Sequence, residues 1–143
     1  MADILIKYHN KDLTPLTPAH DGEWIDLRAA EDVKLAAGDF KLINLGISVK
    51  VPEGYESIVA PRSSTFKNFG IIQTNSIGVI DNTYCGENDI WFYPVLAIRD
   101  TEIHMNDRIA QFRIQKCQPN FNIKKVEHMK DEDRGGHGST GVK

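Results

Sequence analysis

Asn75-Ser76-Ile77-Gly78-Val79-Ile80-Asp81-Asn82-Thr83-Tyr84-Cys85-Gly86-Glu87 lies near the middle of the chain and organises what surrounds it. Apolar residues run up to one carboxylate, Asp81. Polar turn formers follow, then Tyr84, then a glycine turn that leads into an aromatic run. The pattern describes a strand that delivers an aspartate to its end, with an aromatic ring three residues on. Such an end suits a small flat ligand. It equally suits an ordinary strand terminus whose aspartate is a solvated turn residue.

Toward the N-terminus, short apolar runs alternate with turn signals. Ile4, Ile6 and Tyr8 mark a first strand, and 14–22, with two prolines, reads as a loop. Glu23 to Ala30 forms a strand in which Trp24 and Asp26 share one face, opposite Ile25 and Leu27. An aspartate inside a strand is disfavoured, so Asp26 marks an edge or is held by a ligand. Ala36-Ala37-Gly38-Asp39 joins Val33–Leu35 to Phe40–Ile43 as a hairpin, and Pro52-Glu53-Gly54 joins Gly46–Val51 to Tyr55–Ala60. This rhythm predicts an all-β sandwich or barrel. Pro61 to Gly70 breaks it with one or two helical turns, N-capped by serine and stopped at Gly70. Arg62, Ser63 and Ser64 at that helix start offer charge and donors to an anion, or they form a plain capped connector.

Toward the C-terminus, Asp89 to Ile98 has strand composition, with Pro94 requiring an edge or a bulge. Asn106-Asp107-Arg108 turns into a strand that places Ala110, Phe112 and Ile114 on one face and Gln111 and Arg113 on the other. Phe121, Ile123 and Val126 suggest a last strand. From His128 the sequence is polar and glycine-rich, ending in a flexible strap with too little apolar surface to hold itself in place. The expected organisation is a β domain over residues 1–127 and a tail over 128–143.

At 143 residues the chain has room for one domain with a real core. A net charge of −3 gives no support for a nucleic-acid-binding surface. No run is long enough for a membrane span, and the N-terminal apolar run is too short for a signal peptide. Cys85 and Cys117 form neither a metal pattern nor a disulfide framework, so they are expected to be reduced thiols of a cytoplasmic protein.

Five stretches together resemble the ordered motifs of the homotrimeric dUTPase family: Asp26-Leu27-Arg28-Ala29, Pro61-Arg62-Ser63-Ser64, Asn75 to Glu87, Asp107 to Gln111, and Arg134 to Gly141. The Gly78-Val79-Ile80-Asp81 run with Tyr84, Gly86 and Glu87, joined to a terminal Gly138-Ser139-Thr140-Gly141, is the most specific part. The resemblance implies a distorted β-barrel or jelly-roll subunit with one short helix, assembled as a homotrimer with shared active sites. It also implies hydrolysis of dUTP to dUMP and pyrophosphate with Mg²⁺.

Carried across, Asp81 orients and deprotonates the water that attacks the α-phosphorus. Asp26 and Gln111 hold magnesium through its waters, and Arg62, Ser63 and Ser64 contact the phosphates. Tyr84 lies against the deoxyribose, beside Val79 and Ile80. The hairpin after the aspartate reads uracil through backbone groups, here those of Asn75, the turn at Gly86 and the stretch near Asp89. Arg134, Ser139 and Thr140 close over the β- and γ-phosphates.

The sequence departs from the family pattern at Ser64, where glycine is usual, at Cys85, and at His137. This histidine stands where a phenylalanine usually stacks on the base. Histidine stacks with less apolar area and carries a titratable charge. The aromatic run Trp91-Phe92-Tyr93 offers a substitute lid. Alternation buries Trp91 and Tyr93 together and leaves Phe92 for the base, unless all three are core or interface aromatics. Two other functions compete: a dCTP deaminase, which needs a glutamate-centred site in place of Asp81, and a regulatory module that binds a protein partner.

Overall fold

A computed structural model describes residues 1–18, 23–138 and 140–143. The expected all-β architecture with one short helix is present. The strands are β1 (Leu5–Tyr8), β2 (Ile25–Arg28), β3 (Val33–Leu35), β4 (Phe40–Asn44), β5 (Ile47–Lys50) and β6 (Tyr55–Ala60). After the helix α1 (Thr65–Phe69) come β7 (Ile71–Gln73), β8 (Gly78–Ile80), β9 (Phe92–Ala97), β10 (Thr101–Ile103) and β11 (Arg108–Lys116). They form antiparallel sheets in the orders β2-β11-β6-β8 and β4-β9-β7, with the smaller pairs β1-β5 and β3-β10. The arrangement is jelly-roll-like, and no closed barrel forms among the described residues.

The two local hairpins expected from turn signals do not form. β3 pairs with β10 while β4 pairs with β9, and β5 pairs with β1 while β6 pairs with β11 and β8. The turns themselves exist, with Asp39 N–H donating to the Ala36 carbonyl at 3.0 Å. Each hands the chain from one sheet to another, which is how a sandwich covers both faces of its core.

The core lies between the two larger sheets. Trp91, just before β9, meets Phe112 of β11 edge to face, with ring centroids 5.1 Å apart. Leu27, Ile43, Ile47, Tyr93 and Val95 are fully buried around them. Burial pushes the Tyr93 phenol up from its ordinary value.

Pro94 lies in β9, the central strand of its sheet, and not at an edge. Its carbonyl accepts from Thr74 N–H, just past the last β7–β9 pair, Gln73 with Val95. In an antiparallel strand a residue's N and carbonyl point the same way. The missing N–H therefore faces the place where β7 has already ended.

Helix α1 stops at Gly70 as expected, with φ at +60° and its N–H on the Phe66 carbonyl. Its start differs from expectation. Neither serine caps it by a side-chain bond. The buried Thr65 hydroxyl instead accepts from Arg62 N–H at 2.8 Å and donates to the Ile109 carbonyl at 2.9 Å, stitching the loop to β11.

The last strand expected from Phe121, Ile123 and Val126 is also missing. The chain after Lys116 has no regular structure among the described residues, and those three side chains are exposed. No helix of the described residues is long and apolar enough to cross a membrane.

Candidate active site

Asp81 follows directly on β8, as its sequence position predicts. Its Oδ1 accepts two bonds from one residue, the Thr83 backbone N–H at 2.8 Å and the Thr83 hydroxyl at 2.7 Å. These bonds, the hydroxyl first, hold the Asp81 carboxyl below its ordinary value. Among the described residues Oδ2 takes no donor, so it faces solvent with its lone pairs available. Asp81 lines an open cleft of about 380 Å³ together with Val79, Ile80, Tyr84, Ile90, Trp91 and Phe92.

The loop beyond Asp81 is built of turns and is held in shape from several sides. The Tyr84 hydroxyl donates to the Ile90 carbonyl at 2.9 Å, and Gly86 N–H donates to Asp89 Oδ2 at 2.8 Å. A Cβ on Gly86 would come within 2.8 Å of that oxygen, so glycine is needed for this brace. From the β1–β5 pair, the Ser48 hydroxyl donates to the Glu87 carbonyl at 3.1 Å and Lys7 pairs with Glu87 at 2.6 Å. One oxygen of the Asp89 carboxylate is therefore held inside the loop.

The aromatic run divides as alternation predicts. Trp91 and Tyr93 are buried, and Phe92 is 44% exposed on the cleft.

A second cluster gathers on the other side of the same sheet. Asp26 of β2, the edge strand, stands directly opposite Gln111 of β11. Asp26 Oδ1 pairs with Arg62 Nε at 3.0 Å and Oδ2 with Arg108 Nη1 at 3.2 Å. Arg62 Nη1 also reaches the Arg108 carbonyl at 3.2 Å, and Gln111 Nε2 donates to the Pro61 carbonyl at 3.0 Å. Two guanidinium groups on one carboxylate leave a surplus positive charge, which suits a polyphosphate. Ser63 is exposed and Ser64 half-buried in the loop that carries Arg62.

Arg108 is the member that sequence reading missed. A register shift between Arg108 and Ala110 marks a β-bulge, and both Ile109 and Ala110 are fully buried. Without the bulge, strict alternation would turn Arg108 to the face of Ala110 and Phe112. With it, Arg108 shares the face of Gln111 and Asp26. The signal was present in the sequence as two successive apolar residues, Ile109-Ala110, inside an otherwise alternating strand.

Each Asp26 oxygen already accepts from a guanidinium group, so its remaining lone pairs, with the Gln111 amide oxygen, are what the waters of a hydrated magnesium ion would meet. Asp26 and Gln111 supply a carboxylate and an amide oxygen, hard ligands too few to replace the water of an octahedral ion. Among the described residues no group of three acidic, histidine or cysteine side chains forms a direct metal cage.

Of the tail residues, Arg134, His137 and Thr140 are exposed, and the Arg134 guanidinium reaches only the neighbouring Gly135 carbonyl at 3.4 Å among the described residues. Ser139 lies outside the described residues. Arg134, His137 and Thr140 make no hydrogen bond to either cluster among the described residues. Asn75, also exposed, sits in the turn before β8. A larger groove of about 570 Å³ along β3 and β10 holds none of the expected site residues. Its Asp39 and Asp100 are engaged by turn N–H groups of Ala36 and Ala37.

Comparison with known proteins identifies the family. Residues 13–141 match the family model described as dUTPase. The chain is 55% identical over 140 residues to the SPbeta prophage-derived deoxyuridine 5'-triphosphate nucleotidohydrolase of Bacillus subtilis (strain 168), spanning 98% of this chain and 99% of that protein. It is 36% identical over 146 residues to the deoxyuridine 5'-triphosphate nucleotidohydrolase of Neorickettsia sennetsu, spanning 99% and 97%. Among solved structures, Staphylococcus bacteriophage 80alpha dUTPase with dUpNHpp superposes with a TM-score of 0.79 at 20% identity, covering 98% of this chain and 99% of that one. The dUTPase of phage phi11 of S. aureus, solved for the coordination of a structural Mg(II) ion, gives 0.74 at 18% identity over 90% and 99%. The solved structures speak for the fold, and the family model and sequence relatives for the lineage: this chain belongs to the dUTPase family.

Proposed function

We propose that the chain hydrolyses dUTP to dUMP and pyrophosphate through a water positioned by Asp81. The observation that carries this is the asymmetric carboxylate. Thr83 fixes Oδ1, and Oδ2 stays open in a cleft edged by Tyr84 and Phe92. Oδ2 accepts the proton of the water that attacks the α-phosphorus, and pyrophosphate leaves. A carboxylate with a lowered pKa is a weak base at neutral pH, so positioning supplies more of the rate than proton affinity does.

Tyr84, held by its bond to the Ile90 carbonyl, packs against deoxyribose and excludes a 2′-hydroxyl. Backbone groups of Asn75, the Gly86 turn and the stretch near Asp89 read uracil, and Phe92 covers the base where His137 covers it less well. Arg62, Arg108, Ser63 and Ser64 take the phosphates. Asp26 and Gln111 would hold a hydrated Mg²⁺, which would supply charge neutralisation for the triphosphate. Residues 128–143 form the strap that brings Arg134, Ser139 and Thr140 over the β- and γ-phosphates.

The Asp81 cleft and the arginine cluster belong to opposite edges of one sheet. β8 lies three strands from β2, about 14 Å at the usual inter-strand spacing. This separation supports a homotrimer in which different copies complete each site. The outer face of β4-β9-β7 supplies apolar surface for assembly: Phe40, Leu96 and Ile72 lie in one cross-strand row, with Leu42 beside Pro94 in the next. The exposed apolar side chains after Lys116 add more. The free thiols of Cys85 and Cys117 fit a cytoplasmic location.

The deciding experiment is pyrophosphate release from dUTP, dTTP, dCTP and UTP, with and without magnesium, by the wild type and Asp81→Asn. Selective turnover of dUTP that the variant loses supports the proposal. Appreciable turnover of UTP or dTTP contradicts the roles of Tyr84 and its loop.

A further inference from the structure

Gln73 closes β7 and is 6% exposed, an amide buried in the sandwich. Its Nε2 donates twice, to the Val59 carbonyl at 3.1 Å and to Asn75 Oδ1 at 2.9 Å. Its own Oε1 is buried with no partner among the described residues. An unpaired buried acceptor is destabilising, and a methionine or leucine would fill this place without it. The core does not call for glutamine here, so the reason lies in what Nε2 holds.

The two ends of an amide have nearly the same shape and opposite hydrogen-bonding character. Asn75 is exposed in a tight turn, where Ser76 adopts φ of +60° and Ile77 N–H bonds to the Asn75 carbonyl. Left alone, its side chain presents either end. The Val59 carbonyl removes the choice. A backbone carbonyl only accepts, so the Gln73 nitrogen must face it. The second hydrogen of that nitrogen then requires the Asn75 oxygen. Asn75 Nδ2 is left as the outward end, beside Gly78, where an added Cβ would sit 3.6 Å from it. Val79, the next residue, lines the cleft.

We infer that Gln73 is a specificity-positioning residue: by orienting the Asn75 amide it makes the base-reading turn a hydrogen-bond donor. A donor matches the carbonyl acceptors of uracil and opposes the amino group that cytosine carries at C4. The inference rests on the proposed dUTP site and adds to its backbone reading of uracil a contact from the Asn75 side chain.

The test compares wild type, Gln73→Met and Asn75→Ala by the KM for dUTP and the inhibition constant for dCTP. Neither constant depends on the fraction of protein that is folded. Gln73→Leu serves as a second apolar variant in case methionine packs poorly. Gln73→Met is expected to raise the KM for dUTP about tenfold, to change kcat less than about twofold, and to narrow the dUTP–dCTP preference about tenfold, the worth of roughly one hydrogen bond. Asn75→Ala is expected to narrow that preference as well. If Asn75→Ala narrows it and both Gln73 variants leave it intact, the inference is overturned while the uracil assignment stands. If no variant changes it, the Asn75 side chain does not read the base and the inference falls, while a reading of uracil through backbone groups stands. A change in the Gln73 variants without one in Asn75→Ala also overturns the relay.

Discussion

Thr83 holds Asp81 by two bonds to a single carboxylate oxygen, one from its backbone and one from its hydroxyl. The hydroxyl is the larger cause of the lowered Asp81 pKa, so the charged form persists to lower pH than for a free aspartate. Activity that needs this carboxylate is present above the lowered pKa and is lost as pH falls through it. In Thr83→Val the acid limb of kcat is expected to move to higher pH. A looser carboxylate is expected to lower kcat roughly tenfold. A pH–rate profile of the two proteins checks both. An unmoved acid limb would separate Thr83 from the chemistry.

Arg108 and Arg62 share Asp26, and only Arg62 is also tied by its backbone to α1. Arg108→Gln is expected to raise the KM for dUTP about tenfold while leaving the melting temperature near that of wild type, because the side chain is half exposed. Steady-state kinetics with thermal melts test this. A large loss of stability with unchanged KM would make Arg108 a structural residue.

Thr65 links the phosphate-binding loop to the bulged strand. Thr65→Val keeps the volume and leaves Arg62 N–H and the Ile109 carbonyl without their partner. A destabilisation of about 2 kcal/mol is expected from urea unfolding, together with a raised KM. Thr65→Ser is expected to recover most of both.

Trp91 and Phe92 are adjacent and opposite in role. Trp91→Ala removes a buried ring packed on Phe112 and is expected to cost about 3–5 kcal/mol. Phe92→Ala is expected to change stability by less than about 0.5 kcal/mol and to raise the KM for dUTP. If Phe92→Ala raises that KM no more than Trp91→Ala or His137→Ala, Phe92 is not the lid.

Residues whose environment is local were legible in the sequence. Asp81 at a strand end, Gly70 as the helix stop, and Phe92 facing away from Trp91 and Tyr93 each follow from side-chain period or backbone stereochemistry. Strand partners were not, because a turn says only that the chain reverses. Ala36–Asp39 reads as a hairpin turn, and the choice of β10 and β9 as partners is made by the core on each face. Arg108 escaped because one bulged residue inverts the face of everything before it. Phe121, Ile123 and Val126 have strand-like composition, yet they are exposed and join no strand among the described residues.

The placement of Asp81 and the arginine cluster on opposite edges of one sheet has a genetic consequence. If different copies complete each site, two inactive proteins carry complementary lesions. Chains bearing Asp81→Asn and chains bearing Arg62→Ala, unfolded together and refolded as a mixture, would regain about a quarter of the sites by random assortment. Each protein refolded alone would regain none. Intragenic complementation would thus count how many chains a single dUTP molecule touches.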